Sequence, residues 1–306
     1  MAKLEAGFRI SSRMTFFSHA EFVSASHLDF GSLHVRTLEC EFLGEPMKSN
    51  LLTLRIKRFH KERDPQDWIQ DFQVEIRKGM NLLEALLRIQ DEQDGMLSFR
   101  YSCRGAVCGS CAMRVNGKDV LACRTHVEDL LGKPALIEPL PLFPIIRDLI
   151  VDLSIFFDHY RKIEPYLQGK PVSPQVEYSM EEEERKEIDP YINCILCGIC
   201  FATCPALEKD SEYLGPAILA KVYRFLADPR DKRKEEILKM VNTLQGVWGC
   251  KTVFNCVNVC PKEVPPTHGI VEMRKKILSD RLVSIVSRLS SLFHPSNPES
   301  NDRATG

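Results

Sequence analysis

Hydrophobic and polar positions follow two regimes along this chain. Between residues 47 and 142 the dominant period is two: Leu52, Leu54 and Ile56, then Phe72, Val74 and Ile76, alternate with polar residues. That alternation predicts two half-buried strands around a turn at residues 63–66. After Gly79 the spacing changes, and Leu82, Leu83, Leu86, Leu87 and Ile89 predict one amphipathic helix ending at Gly95. Residues 112–115 and 120–123 flank Asn116-Gly117, a pair that tolerates positive φ and marks a hairpin turn. Beyond residue 142 the strand signals fade. Apolar residues three or four apart predict helices over 145–165, 216–228, 232–244 and 268–293. The acidic run 181–184, followed by Arg185 and Lys186, reads as a solvated helix face or a linker. The fold class is therefore α+β: strands with one packed helix over 47–142, then an all-α domain over 143–306.

Residues 1–46 show no sustained apolar period. They read as a disordered extension, or as an overlong start with Met47 the real beginning. Glu5, Glu21, Asp29, Glu39, Glu41 and Glu45 argue against an acid-poor mitochondrial transit peptide. A chain of 306 residues has room for two domains of ordinary size. Its net charge of -1 gives no reason to expect nucleic acid as a partner. No stretch qualifies as a membrane span: the longest uncharged run, 190–207, contains two prolines and four cysteines, and the apolar stretch 145–157 is cut by Arg147, Asp148 and Asp152.

The cysteines change the picture most. Twelve in 306 residues is about 4%, well below the roughly 8–10% of a disulfide scaffold, and their clustering suits metal in a reducing compartment. Cys40 stands alone and reads as a free thiol. Cys103, Cys108 and Cys111, closed by Cys123, have the Cys-x4-Cys-x2-Cys spacing of a plant-type 2Fe-2S centre. With the strands and helix around them they resemble a plant-ferredoxin-like (β-grasp) domain. An anionic cluster needs backbone N–H groups turned toward its sulfurs, for which Gly105 and Gly109 give room. Arg100, Arg104, Arg114 and Arg124 would surround it with positive charge. A structural zinc site is the competing reading, but zinc usually takes two close pairs.

Cys194-x2-Cys197-x2-Cys200-x3-Cys204-Pro205 is the bacterial-ferredoxin run, whose fourth cysteine serves the other cluster. A second copy follows with a defect. Cys250, Cys256 and Cys260-Pro261 keep the length of the run, with Val253 where a second cysteine belongs. By the crossing rule Cys194, Cys197, Cys200 and Cys260 hold a 4Fe-4S cluster, and Cys204, Cys250 and Cys256 offer three thiolates, which implies 3Fe-4S. The rival is a 4Fe-4S site with water or another ligand on its fourth iron, which apolar Val253 disfavours.

Three centres in this order, with Cys108-Gly-Ser-Cys-Ala-Met, Asn193-Cys-Ile-Leu-Cys-Gly-Ile-Cys, Leu214-Gly-Pro-Ala, Gly246-Val-Trp-Gly-Cys250 and Val259-Cys-Pro-Lys262, resemble the iron-sulfur subunit of succinate dehydrogenase and fumarate reductase. The resemblance implies a wire between the FAD of a flavoprotein subunit and quinone at a membrane anchor, which can carry haem b. It also implies peripheral attachment at the cytoplasmic face of the bacterial inner membrane, or less readily at the mitochondrial matrix side, and a place in respiration and the tricarboxylic acid cycle. The chain itself offers no catalytic residue. It lacks a Gly-x-Gly-x-x-Gly fingerprint, so flavin belongs to a partner, and no His follows a Cys-x2-Cys as haem attachment requires. Where the family's succinate dehydrogenases place Ser, Trp and His near quinone, this chain has Ala206-Leu207-Glu208-Lys209 and Lys251. Lys251 is the quinone-binding candidate; a surface lysine facing the anchor or headgroups is its plain alternative. Leu282, Ile285, Val286, Leu289 and Phe293 form one helical face, for the protein's own core or for an anchor. Two other functions share these motifs: a subunit of a soluble fumarate reductase or related enzyme with a non-quinone partner, and a free-standing ferredoxin carrier.

Overall fold

Alternation in the first strand pair sets the register of the whole sheet. In the computed structural model, which describes residues 51–169, 177 and 179–293, β1 (Leu51–His60) and β2 (Asp64–Glu75) pair antiparallel, with Leu52 opposite Val74 and Leu54 opposite Phe72. All four are buried with Ile56 and Ile76, because a period of two puts one set of side chains on one face. The turn occupies residues 61–63, slightly ahead of the expected position. Helix α1 (Leu82–Glu92) begins at Asn81, whose side chain accepts from the Glu84 N–H while the Glu84 carboxylate accepts from the Asn81 N–H. This capping box satisfies two orphan donors. Leu82, Leu83, Ala85, Leu86 and Ile89 of α1 are buried against the sheet. The hairpin of β3 (Ala112–Val115) and β4 (Lys118–Leu121) turns at Asn116 and Gly117, both at positive φ. A further strand, β5 (Ala135–Glu138), runs parallel to β1 and joins it to β3.

The helix expected over 145–165 is only half present. Residues 145–151 instead form a small hairpin, β6 (Ile145–Arg147) and β7 (Ile150–Val151), and only then does α2 (Ser154–Lys162) begin. Asp148 decides this. It sits at φ 46 in the turn, buried, and its carboxylate accepts from Arg58 Nε at 3.0 Å, Phe59 N at 3.2 Å and Ser98 N at 2.9 Å. These partners lie far away in sequence, and the β-branched residues around Asp148 suit extended backbone. The sheet, in the order β4-β3-β5-β1-β6-β7 with β2 on β1, thus reaches Val151. We therefore propose that the division between the halves falls after Val151 rather than after residue 142.

The remaining elements are helical: α3 (Glu182–Ile192), α4 (Ile199–Ala202), α5 (Pro205–Lys209), α6 (Pro216–Ala227), α7 (Lys234–Val241), α8 (Asn255–Asn258) and α9 (Pro266–Phe293). The acidic run opens α3, whose first turn is solvated while Ile188 and Tyr191 are buried. Helix α6 starts at Pro216, where a missing N–H costs nothing, and it is the hub, packed by α3, α4, α7 and α9. At its C-terminal end Asp231 accepts from Arg233, which also donates to the carbonyls of Glu164 and Tyr166 and ties this corner to the end of α2. One continuous core runs through both halves, with Phe143 stacked on Phe201 at 5.1 Å and Phe156 edge-on to the same ring at 5.5 Å. Among the described residues no helix is long and apolar enough to cross a membrane. Leu282, Ile285, Val286 and Leu289 of α9 are all exposed rather than packed on the protein's own helices. The extension over 1–46, with Cys40, lies outside the described residues, as does the Phe293 side chain.

Candidate iron-sulfur centres

The loop between α1 and β3 wraps the first group of thiols. Cys103 Sγ accepts from the N–H groups of Val107 and Cys108 at 3.2 Å and of Gly105 at 3.4 Å, and the Cys103 N–H points to Cys108 Sγ at 3.4 Å. Positive φ at Arg104, Ala106 and Gly109 curls the backbone so that these N–H groups converge, an arrangement that favours an anion. Burial opposes ionisation of Cys108, yet hydrogen bonds from Ser110 and from the Cys103 backbone bring its thiol down to about 6. Burial pushes Cys111 up to about 12, and the neighbouring Cys123 and Cys108 act in the same direction. Gly105 is not at positive φ, and a side chain there meets nothing closer than 3.7 Å. Its own N–H is among those turned toward Cys103 Sγ.

Gly109 is needed for a different reason. A Cβ at this position would lie 2.7 Å from Cys197 Cβ and 2.9 Å from Cys197 Cα. The first cysteine loop thus rests directly on the second, and Arg124, next to Cys123, crosses the same seam to donate to the Pro261 carbonyl at 2.8 Å. The four arginines expected around this centre each have another partner as well. Arg114 is engaged bidentately by Asp119 at 2.8 and 3.0 Å, Arg100 donates to the Val151 carbonyl, and Arg104 lies over the Tyr101 ring.

The next seven thiols separate into two hollows. One is lined by Cys194, Cys197, Cys200 and Cys260. The other is lined by Cys204, Cys250 and Cys256 with Lys251, Val253, Tyr213 and Thr267. Burial raises Cys197 to about 12, helped by Cys194 and Cys260, and raises Cys200 well above the ordinary thiol range. Cys204 and Cys256 are raised by burial, with Cys250 as a common neighbour. Buried thiols packed this closely cannot all ionise unless positive charge sits among them, which is what bound iron supplies. Among the described residues no three His, Cys, Asp or Glu side chains converge tightly enough for one metal ion. Thiols spread around a hollow suit a cluster.

The two runs share one backbone trace. Leu196 and Thr252, each two residues after the leading cysteine, have φ 54 and 56; Gly198 and Phe254, each four after it, have φ 80 and 61 and start α4 and α8. Val253 therefore occupies the place that Cys197 holds in the first run. Half of its surface faces outward, so it lines the hollow without sealing it. Arg274 of α9 holds the second run from behind, donating to the carbonyls of Val247 at 2.6 Å and Cys250 at 2.7 Å. Lys251 is exposed beside Cys250.

Residues 53–158 match the family described as a 2Fe-2S iron-sulfur cluster binding domain, and residues 191–264 match the 4Fe-4S dicluster domain. The succinate dehydrogenase iron-sulfur subunit of Coxiella burnetii is 38% identical over 232 residues, covering 75% of this chain and 98% of its own. The chain belongs to the succinate dehydrogenase and fumarate reductase iron-sulfur subunits. The fumarate reductase iron-sulfur subunit of Haemophilus influenzae is 37% identical over 250 residues, covering 78% of this chain and 97% of its own. A chain of the Mycobacterium smegmatis Sdh1 complex in the apo form has the same fold, with a TM-score of 0.68 at 27% identity over 76% of this chain and 98% of that one. This iron-sulfur subunit is accordingly an electron-transfer component of an oxidoreductase complex, a 2Fe-2S domain followed by a 4Fe-4S dicluster domain. Sequence reasoning missed Tyr213, Thr267 and the Gly109–Cys197 contact, since each becomes a site residue only through packing between distant segments.

Proposed function

We propose that this subunit carries electrons between the FAD of a flavoprotein subunit and quinone at a membrane anchor, held peripherally at the cytoplasmic face of a bacterial inner membrane. Cys103, Cys108, Cys111 and Cys123 would hold the 2Fe-2S cluster, Cys194, Cys197, Cys200 and Cys260 the 4Fe-4S cluster, and Cys204, Cys250 and Cys256 the 3Fe-4S cluster. When bound, these groups supply one-electron carriers. The division of seven thiols into hollows of four and three carries this reading.

The chain's own residues do the rest. The curled backbone at 103–109 directs N–H groups at Cys103, and Val264 N–H and Thr252 N–H do the same for Cys260 at 3.3 Å and Cys250 at 3.4 Å. Apolar Leu196 and Val264 line the larger hollow and keep it dry. Gly109 and Arg124 hold the first thiol group against the second. The smaller hollow, beside exposed Lys251 and half-exposed Val253 and Phe254, opens on an apolar surface suited to an anchor and to a quinone whose carbonyl takes a hydrogen bond from Lys251. Cluster type sets the potential: a 3Fe-4S cluster, all-ferric when oxidised, takes up an electron more readily than a 4Fe-4S one, which makes it the more oxidising of the two and places electron exit there.

The test is purification of the native complex, followed by iron analysis, paramagnetic resonance, and succinate:quinone and quinol:fumarate assays. A copurifying flavoprotein, roughly nine irons per chain and a three-iron signal are expected. Flavoprotein with neither quinone activity would indicate a soluble enzyme, and no flavoprotein at all a free-standing carrier.

A further inference from the structure

Tyr213 is buried to 1% exposure, and its hydroxyl makes no hydrogen bond of good geometry, with Cys250 the side chain within its reach. Its ring is pinned: a Cβ on Gly249 would lie 2.6 Å from Tyr213 Cδ2, so the glycine before Cys250 is the surface on which the ring lies. Tyr213 lines the smaller hollow, and Cys250, Cys204 and Cys256, in that order, are its electrostatic neighbours. A tyrosine hydroxyl enclosed in this way normally finds a partner, since leaving it unpaired forfeits its bond to water with no replacement. The partner this hollow offers most readily is sulfur, since three thiols line it beside Thr252, Asn255 and Thr267.

We infer that the Tyr213 hydroxyl donates a hydrogen bond into the third iron-sulfur centre, to a sulfur of the cluster or to Cys250 Sγ, and thereby raises that centre's reduction potential. The inference rests on the proposed assignment of Cys204, Cys250 and Cys256 as a three-thiolate site. A donor aimed at a sulfur stabilises the more electron-rich, reduced state, and hydrogen bonds to sulfur are among the determinants of cluster potential. Thr267 adds a second hydroxyl at the same hollow, 3.4 Å from Cys256 Sγ, whereas the residues lining the larger hollow carry no hydroxyl. The asymmetry of hydroxyl donors therefore acts in the same direction as the difference in cluster type. Tyr213 is a positioning and tuning residue, since it ligates no metal.

The test is Tyr213→Phe in the whole complex, followed by redox titration of each cluster's paramagnetic signal. Loss of one neutral hydrogen bond should weaken one-electron reduction of the three-iron centre by roughly three- to tenfold, a fall of up to about 59 mV, with the other two potentials unmoved. In D2O the wild type should show an exchangeable-proton coupling at that centre which the variant lacks. An unchanged potential with the signal intact overturns the inference. Absence of any three-iron signal in the wild type would instead refute the ligand assignment beneath it. If the variant fails to load iron, fluorinated tyrosine at position 213, a stronger donor of nearly the same shape, decides: a raised potential supports the inference, and an unchanged one overturns it.

Discussion

Gly109→Ala gives the sharpest test of how the two cysteine loops are held together. Two separate costs apply. At φ +73 an alanine is in the left-handed region, which costs about 1–2 kcal/mol. Its Cβ would also lie 2.7 Å from Cys197 Cβ and 2.9 Å from Cys197 Cα. One of these neighbours is backbone, which cannot rotate away, so overpacking adds about 1–3 kcal/mol. Gly79 supplies the control, because it has φ +77 and nothing within 4 Å of a Cβ, so Gly79→Ala carries the first cost alone. Taking the totals as about 3 and about 1.5 kcal/mol, and about 2–4 °C per kcal/mol for a folded unit of this size, Gly109→Ala should melt about 3–6 °C below Gly79→Ala. The assay is thermal unfolding of the two purified, cluster-loaded variants beside the wild type. The iron content of Gly109→Ala should fall more than that of Gly79→Ala, because displacement at position 109 moves Cys108 and Cys197 together. Equal melting temperatures for the two variants would refute the contact argument, leaving only backbone strain.

Other substitutions address separate parts of the molecule. Val253→Cys places a thiol where the matching backbone of the first run carries Cys197; iron analysis should show one additional iron, with the three-iron signal replaced by a four-iron centre of lower potential. Lys251→Met should slow quinone turnover while leaving dye-coupled succinate oxidation at the flavin unchanged; normal rates in both assays would make Lys251 an ordinary surface residue. Burial favours the neutral form of Asp231, but Arg233 beside it holds the carboxyl below the usual carboxylate range. A depressed folded value means that the stabilisation is complete above the unfolded value of about 3.9 and is lost as pH falls through the folded one. Melting temperature against pH should therefore fall below about pH 4. Asp231→Asn should flatten that slope and cost about 1–3 kcal/mol at neutral pH, since Arg233 keeps the Glu164 carboxylate at 3.6 Å and the Glu164 and Tyr166 carbonyls.

The seam at Gly109 and Arg124 also explains why the two halves share a core. An electron carrier made of two domains needs its centres held at a constant separation, and a flexible linker would not do so. Here the contact is made by backbone against backbone, by the Arg124 hydrogen bond to the Pro261 carbonyl and by the Phe143, Phe156 and Phe201 rings. The first cysteine loop is thereby referenced directly to Cys197.

Local chemistry was legible without coordinates, and packing between distant segments was not. The cysteine spacings, the β1–β2 alternation, the Asn116-Gly117 turn and the α1 and α6 periodicities are short-range signals, each set by the backbone period or by a residue's own conformational preference, and the structure has elements at each of these places. The family followed from the same spacings. Residues 145–151 show where this stops: their apolar pattern suits a helix or a hairpin equally, and the choice was made by Arg58, Phe59 and Ser98, which converge on Asp148 from far away in the chain. The partners of the arginines near the first centre were hidden for the same reason, since proximity in sequence says nothing of Asp119 or the Pro261 carbonyl. Tyr213 reads in sequence as one more apolar position before Leu214-Gly-Pro. Only the fold lays its ring on Gly249 and turns its hydroxyl toward three thiols, because burial, unlike period, is a property of everything that surrounds a residue.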